Sequence, residues 1–134
     1  MTEAAISSVV LDSEGLSAWL TQDRKAMAKI EIFRRLGADL VISAATIIDV
    51  THAGVNMARL NRLLSRLKVE PLSENAARAA SKLLKDANPH GRKYAIDAMV
   101  AEVALRQPTP VAVLTSDIDD LRTLCGRSVR LIAV

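Results

Sequence analysis

Asp12 follows the apolar run Val9-Val10-Leu11, and Asp117 follows Val111-Ala112-Val113-Leu114 across Thr115-Ser116. Asp49 lies within two turns of Leu40-Val41-Ile42, and Asp97 stands near the start of a helical segment leading toward the run at 111. In an open parallel sheet, ligands gather outside the carboxyl ends of the strands, so these four acids can meet at one edge. Crowded carboxylates repel one another and are stable chiefly around a divalent cation. Ligation by oxygen alone selects Mg2+ or Mn2+, whereas zinc would bring His or Cys. Neither His52 nor His90 has a partner at ligand spacing, and Cys125 is the sole cysteine, read as a small buried hydrophobe near a helix end. A magnesium ion among a few aspartates keeps several waters, one of which can be activated against a phosphodiester.

Each acid also has an ordinary role. Asp12 and Asp117 both precede helices, where Asp is a favoured N-cap. Asp119 and Asp120 suit the first turn of a helix, where negative charge meets the positive end of the dipole, with Asp120 an outside candidate for the site. Asp97 shares a face with Ala101 and Ala104, a small-residue stripe that leaves room for a carboxylate beside the sheet. Asp49 stands among Ile47, Ile48 and Val50, on a helix expected to be mostly buried.

The elements that would position these acids alternate. A strand at Ser8 to Leu11 leads into a helix through Leu16 and Trp19, and a second helix spans about Arg24 to Leu36, with Gly37 placed to end it. Leu40-Val41-Ile42 is the next strand, and Ser43 caps a helix interrupted at Gly54 before another begins near Asn56. Val69 to Leu72 reads as a short strand that Pro71 assigns to an edge. Ser73 caps an alanine-rich helix running to about Ala87, ended by Asn88-Pro89-His90-Gly91, and a further helix spans about Tyr94 to Arg106. After the strand at 111–114 come a last helix and a closing segment, Val129 to Val134. Strands separated by helices, with no tight hairpin, define a parallel α/β layer architecture. No repeat or linker divides the 134 residues, which read as one domain.

Composition narrows the functional classes. Half of the residues are hydrophobic but only 2% are aromatic, so the core is aliphatic and a stacking platform for successive single-stranded bases is not expected. No stretch approaches the roughly 20 apolar residues that cross a bilayer, and Met1-Thr2-Glu3 lacks the basic start of a signal peptide, so a cytoplasmic location is expected. The net charge of +3 and pI near 9.4 suit a polyanion. Arg59, Arg62 and Arg66 recur at i, i+3 and i+7, opposite Leu60, Leu63, Leu64 and Leu67, which makes one basic helix face. That face fits either phosphate contact or plain solvation. The small-residue faces also leave room for self-association.

The segments Val9 to Ser13, Val41 to Val50, Tyr94 to Ala101 and Val113 to Leu121 together resemble, in order and spacing, the acidic blocks of the PIN-domain nucleases, in particular the VapC-type toxins. The resemblance runs nearly the full chain. It implies a three-layer αβα sandwich around a central, mostly parallel sheet of about four to five strands. It also implies a Mg2+- or Mn2+-dependent endoribonuclease, the toxin of a toxin–antitoxin pair, inhibited by a small antitoxin, usually a homodimer and able to enter larger toxin–antitoxin assemblies. On this reading Asp12, Asp97 and Asp117 hold the metal, with Asp49 reaching it directly or through water as the fourth catalytic acid. Asp120, Ser13 and Ser116 are supporting candidates, and Arg92 and Lys93, just before Asp97, are placed to steady the RNA strand together with Arg59, Arg62 and Arg66. Two positions depart from the family pattern. Asp49 stands where Glu is usual, one methylene shorter, and Ser13 replaces the commoner Thr. The departure at Asp49 sustains an alternative, a PIN-like module that binds RNA or protein without cutting. A receiver-type phosphate binder would need paired acids at the first strand and a lysine after a late strand, which this chain does not offer convincingly.

Overall fold

The structure, a computed structural model, describes residues 5–87 and 93–134, with Lys93 described by its backbone alone. Strands β1 (Ser8–Leu11), β2 (Asp39–Ser43), β3 (Lys68–Glu70), β4 (Val111–Thr115) and β5 (Arg130–Ala133) form one sheet in the order β3-β2-β1-β4-β5. Every neighbouring pair is parallel, with Val10 opposite Val41 and Val113. Parallel neighbours need crossovers, and helices supply them: α1 (Ser13–Leu20), α2 (Arg24–Arg35), α3 (Ala44–Val50), α4 (Met57–Leu64), α5 (Glu74–Ala87), α6 (Lys93–Leu105) and α7 (Ile118–Cys125).

The two-residue period of a strand divides the core. Val9, Leu11, Leu40, Ile42, Ala112 and Leu114 face one side, against Leu16 and Trp19 of α1, Ile30 of α2 and Leu60 and Leu63 of α4. Val10, Val41, Val111 and Val113 face the other, against Val100, Ala101 and Ala104 of α6 and Leu121 and Leu124 of α7. The result is a three-layer sandwich around five parallel strands, as the family resemblance implies. Helix α2 ends as expected, with Gly37 at φ +87°, a conformation that costs glycine little. Strand β3 stops before Pro71 and lies at an edge of the sheet. The turn expected at Asn88-Pro89-His90-Gly91 lies outside the described residues. One expectation is corrected in part: α3 buries Ala45, Thr46 and Val50, but Ile48 is 76% exposed and Asp49 is exposed beside it.

Candidate metal centre

β1 and β4 lie side by side and deliver acids to the same end of the sheet. Asp12 leaves β1 as the N-cap of α1; its Oδ1 accepts the Gly15 amide at 2.8 Å, so the capping role read from sequence is realised. The cap is possible because α1 sits almost against β4: a Cβ built on Gly15 would lie 2.9 Å from the Leu114 carbonyl oxygen. Only 3% of Asp12 is exposed. Burial raises its carboxyl to about 6, although hydrogen bonds from Thr115 and the Gly15 amide pull it back.

Asp117 occupies the N-cap position of α7 but makes no capping bond with its side chain. Thr115 stands in, its Oγ1 accepting the Asp117 amide at 2.8 Å, and the Asp117 carboxylate is left exposed. One turn into α7, Asp120 turns to the same place, and Asp97 reaches it from α6. Carboxylate oxygens of Asp97, Asp117 and Asp120 lie within 4.8 Å of one another. Asp49 looks in from the rim on α3, and Asp12, Ser13 and Glu14 from the start of α1, around a cleft of about 490 Å³ completed by Ile96 and Val100. Asp97 feels the crowd most. Burial first, then the charges of Asp117, Asp120, Asp12 and Asp49, push its carboxyl up to about 7.

A divalent cation fits this donor set. Six acids converge, and among the described residues no Lys or Arg forms an ion pair with any of them. The 4.8 Å grouping is close to the span of two oxygens on opposite sides of Mg2+, about 4.2 Å at 2.1 Å per ligand. The tightest group differs from the one read in the sequence, because Asp120 takes the place given to Asp12. The physical reason is local: the Asp12 carboxylate is drawn back toward the Gly15 amide and Thr115.

Other candidates are dispersed. Ser13 lines the cleft, whereas Ser116 is exposed and borders a separate depression with Glu14, Ser17 and Asp23. Arg59 donates to the Leu20 carbonyl at 3.2 Å and so ties α4 to the end of α1. Arg66 borders a groove with Trp19, Met27, Ile30, Arg34 and Arg35, and Arg62 is exposed; neither lines the acidic cleft. Arg92 and the side chain of Lys93 lie outside the described residues. Sequence reasoning passed over Glu14, Gly15 and Thr115. A threonine two residues before an aspartate, at a strand exit, is a side-chain turn signal that would have found the last of these.

The fold and the site together define a parallel α/β domain with an acidic centre at the carboxyl edge of its sheet, suited to a hard divalent cation. The PIN domain pattern matches residues 9–125, and the chain belongs to that family. Solved structures of similar fold include VapBC2 from Rickettsia felis bound to a DNA fragment from its promoter, at 14% identity and TM-score 0.72, covering 94% of this chain and 98% of that one. A toxin–antitoxin complex from Klebsiella pneumoniae is similar at 18% identity and TM-score 0.67, covering 91% and 95% of the two chains. FitAcB from Neisseria gonorrhoeae is similar at 17% identity and TM-score 0.61, covering 92% and 96%. No curated protein sequence matches this chain.

Proposed function

We propose that this protein is a Mg2+- or Mn2+-dependent endoribonuclease and the toxin of a toxin–antitoxin pair. The observation that carries the reading is the cleft of converging carboxylates with no described cation to balance them. Asp97, Asp117 and Asp120 would hold the metal, with Asp12 behind them and Asp49 meeting it directly or through water. The ion, when bound, supplies Lewis acidity toward a phosphate oxygen and an acidified water. The chain's own residues then do the positioning. The Gly15 amide holds the Asp12 carboxylate in place, and Thr115 fixes the backbone from which the Asp117 carboxylate projects into the cleft. Val100 and Ile96 close one wall of the cleft with apolar surface and limit water there. Arg92 and Lys93, preceding Asp97, would neutralise the RNA strand.

The similar folds seen in toxin–antitoxin complexes support a small antitoxin partner; in this proposal it covers the cleft, and the chain forms a homodimer within larger assemblies with it. No described helix is long and apolar enough to cross a membrane, and a cytoplasmic site of action follows from the RNA substrate. The non-cutting alternative rests on Asp49; that the tightest carboxylate group forms without this residue favours the cutting reading. Purified chain, freed of any small co-purifying protein, should cut labelled RNA in Mg2+ or Mn2+. Cleavage should vanish with EDTA and fall by about 10³-fold in Asp97→Asn. Intact RNA in every lane, or an Asp97→Asn protein that cuts as fast as wild type, would overturn the reading.

A further inference from the structure

Beside the acidic cleft is a second, smaller cavity of about 160 Å³, walled by Ala87, Tyr94, Thr123 and Leu124. The two cavities share one residue, Asp120. Their arrangement follows from helix geometry. Tyr94 precedes Asp97 by three residues on α6, and Leu124 follows Asp120 by four on α7, so each pair shares a helix face one turn apart. The helices present these pairs in opposite chain directions: Asp97 meets Asp120 at the large cleft, and Tyr94 meets Leu124 at the small one. A pocket with an aromatic wall and an apolar floor therefore opens about one helical turn, roughly 5.4 Å, from the carboxylate cluster.

We infer that this pocket receives one nucleobase of the RNA beside the scissile phosphate, stacked on Tyr94, and that it prefers cytosine or adenine to uracil. The inference rests on the nuclease reading for the identity of its ligand. Of the Trp, Tyr and Phe residues, Trp19 and Phe33 pack with the core on the opposite face of the sheet, so among the described residues Tyr94 is the ring placed to stack a base here. One ring and 160 Å³ suit a single base, not a run of them. The base preference comes from the rim. Thr123 Oγ1 donates its proton to the Asp119 carbonyl at 3.0 Å, which leaves that oxygen only its acceptor capacity, and the Asp120 carboxylate also accepts. Cytosine and adenine offer an exocyclic amino group where uracil offers a carbonyl oxygen, which would face these acceptors unpaired.

The test uses probes that cannot be cut. Cytidine, adenosine and uridine 5′-monophosphates and ribose 5-phosphate are titrated calorimetrically into the full chain in Mg2+, beside cleavage of a random-sequence RNA whose ends are sequenced. Cytidine and adenosine monophosphates should bind about tenfold more tightly than ribose 5-phosphate, the order expected from stacking one base, with uridine monophosphate between. Tyr94→Leu, which keeps apolar bulk, should remove the advantage of the base and flatten the sequence bias at the cut. Tyr94→Phe should retain both, and the exposed Thr123→Val should narrow the gap between cytidine and uridine. RNA cleavage with nucleotides bound no better than ribose 5-phosphate would overturn the pocket and leave the nuclease standing. Nucleotide binding that depends on Tyr94, without any cleavage, would do the reverse. No binding and no cleavage would remove both.

Discussion

Acids are gathered at two places in this molecule, and they are treated in opposite ways. Where α6 ends beside the edge strand β3, Glu102 and Glu70 both pair with Arg106, the first at 2.7 Å, while Lys68 lies 3.6 Å from Glu70 and donates to Gln107. The Glu102 and Glu70 side chains are only 9% and 12% exposed, yet each has its counter-charge. At the carboxyl edge of the sheet, Asp12 and Asp97 are buried or half-buried among further acids, and no described cation pairs with them. Buried charge without a partner is expensive. A protein that matches its acids so closely at one corner and leaves them unmatched at another marks the second as a place for something from outside. The contrast separates acids packed for structure from acids held for function without any appeal to motif.

Mutations of opposite sign test this contrast. Arg106→Met should have the largest effect on stability. It leaves Glu102 and Glu70 without their main partner and should destabilise the fold by about 2 kcal/mol in urea unfolding, below the usual cost for a fully buried pair because the Arg106 side chain is 37% exposed. Its Mn2+ affinity should stay at the wild-type value. Asp97→Asn should act in the other direction: in EDTA near pH 8 it should stabilise the protein by about 1 kcal/mol, after allowance for solvent screening, while it abolishes metal binding. The sign follows from the raised carboxyl. Asp97 titrates at about 7 in the fold against an ordinary 3.8, so the native state holds more protons between those values. Metal-free stability should therefore fall as pH rises from about 4 to about 7, and the Asp97→Asn variant should lose most of that slope. A metal-free protein whose stability rises across this window would break the contrast. The smallest effect is expected from Asp49→Glu, which lengthens a rim acid that the central group does not need. Mn2+ affinity should tighten by no more than about tenfold in calorimetric titration.

Much of the fold was legible because its signals are local. Ser43 and Ser73 cap helices where the sequence places them, and Asn56 caps the helix expected to begin beside it, each side-chain oxygen accepting an amide two or three residues ahead. The aliphatic strands stand out because burial on both faces requires nearly continuous apolar runs. What was hidden depends on contacts between distant segments. Nothing near residue 48 tells that its face of α3 is left uncovered, because that depends on how α1 and α6 pack against the helix. Arg59 reads as a solvated or phosphate-binding cation until the Leu20 carbonyl, 39 residues away in sequence, is brought beside it. The acidic centre was readable as a set but not in its inner grouping. Asp120 looked like an ornament of the helix dipole, and only the packing of α7 against α6 turns it toward Asp97.

Gly15 makes the centre depend on an atom that is missing. With the Leu114 carbonyl 2.9 Å from where its Cβ would stand, the first turn of α1 seats only because that space is clear, and the amide that holds Asp12 is seated with it. Clearance thus works beside the bonds that join the site to the sheet, the Asp12 amide to the Leu114 carbonyl at 3.2 Å and the Thr115 hydroxyl to the Asp12 carboxylate. A single added methyl would act as a wedge, tilting helix and carboxylate together, and an inactivated protein that still folds could be made without touching an acid.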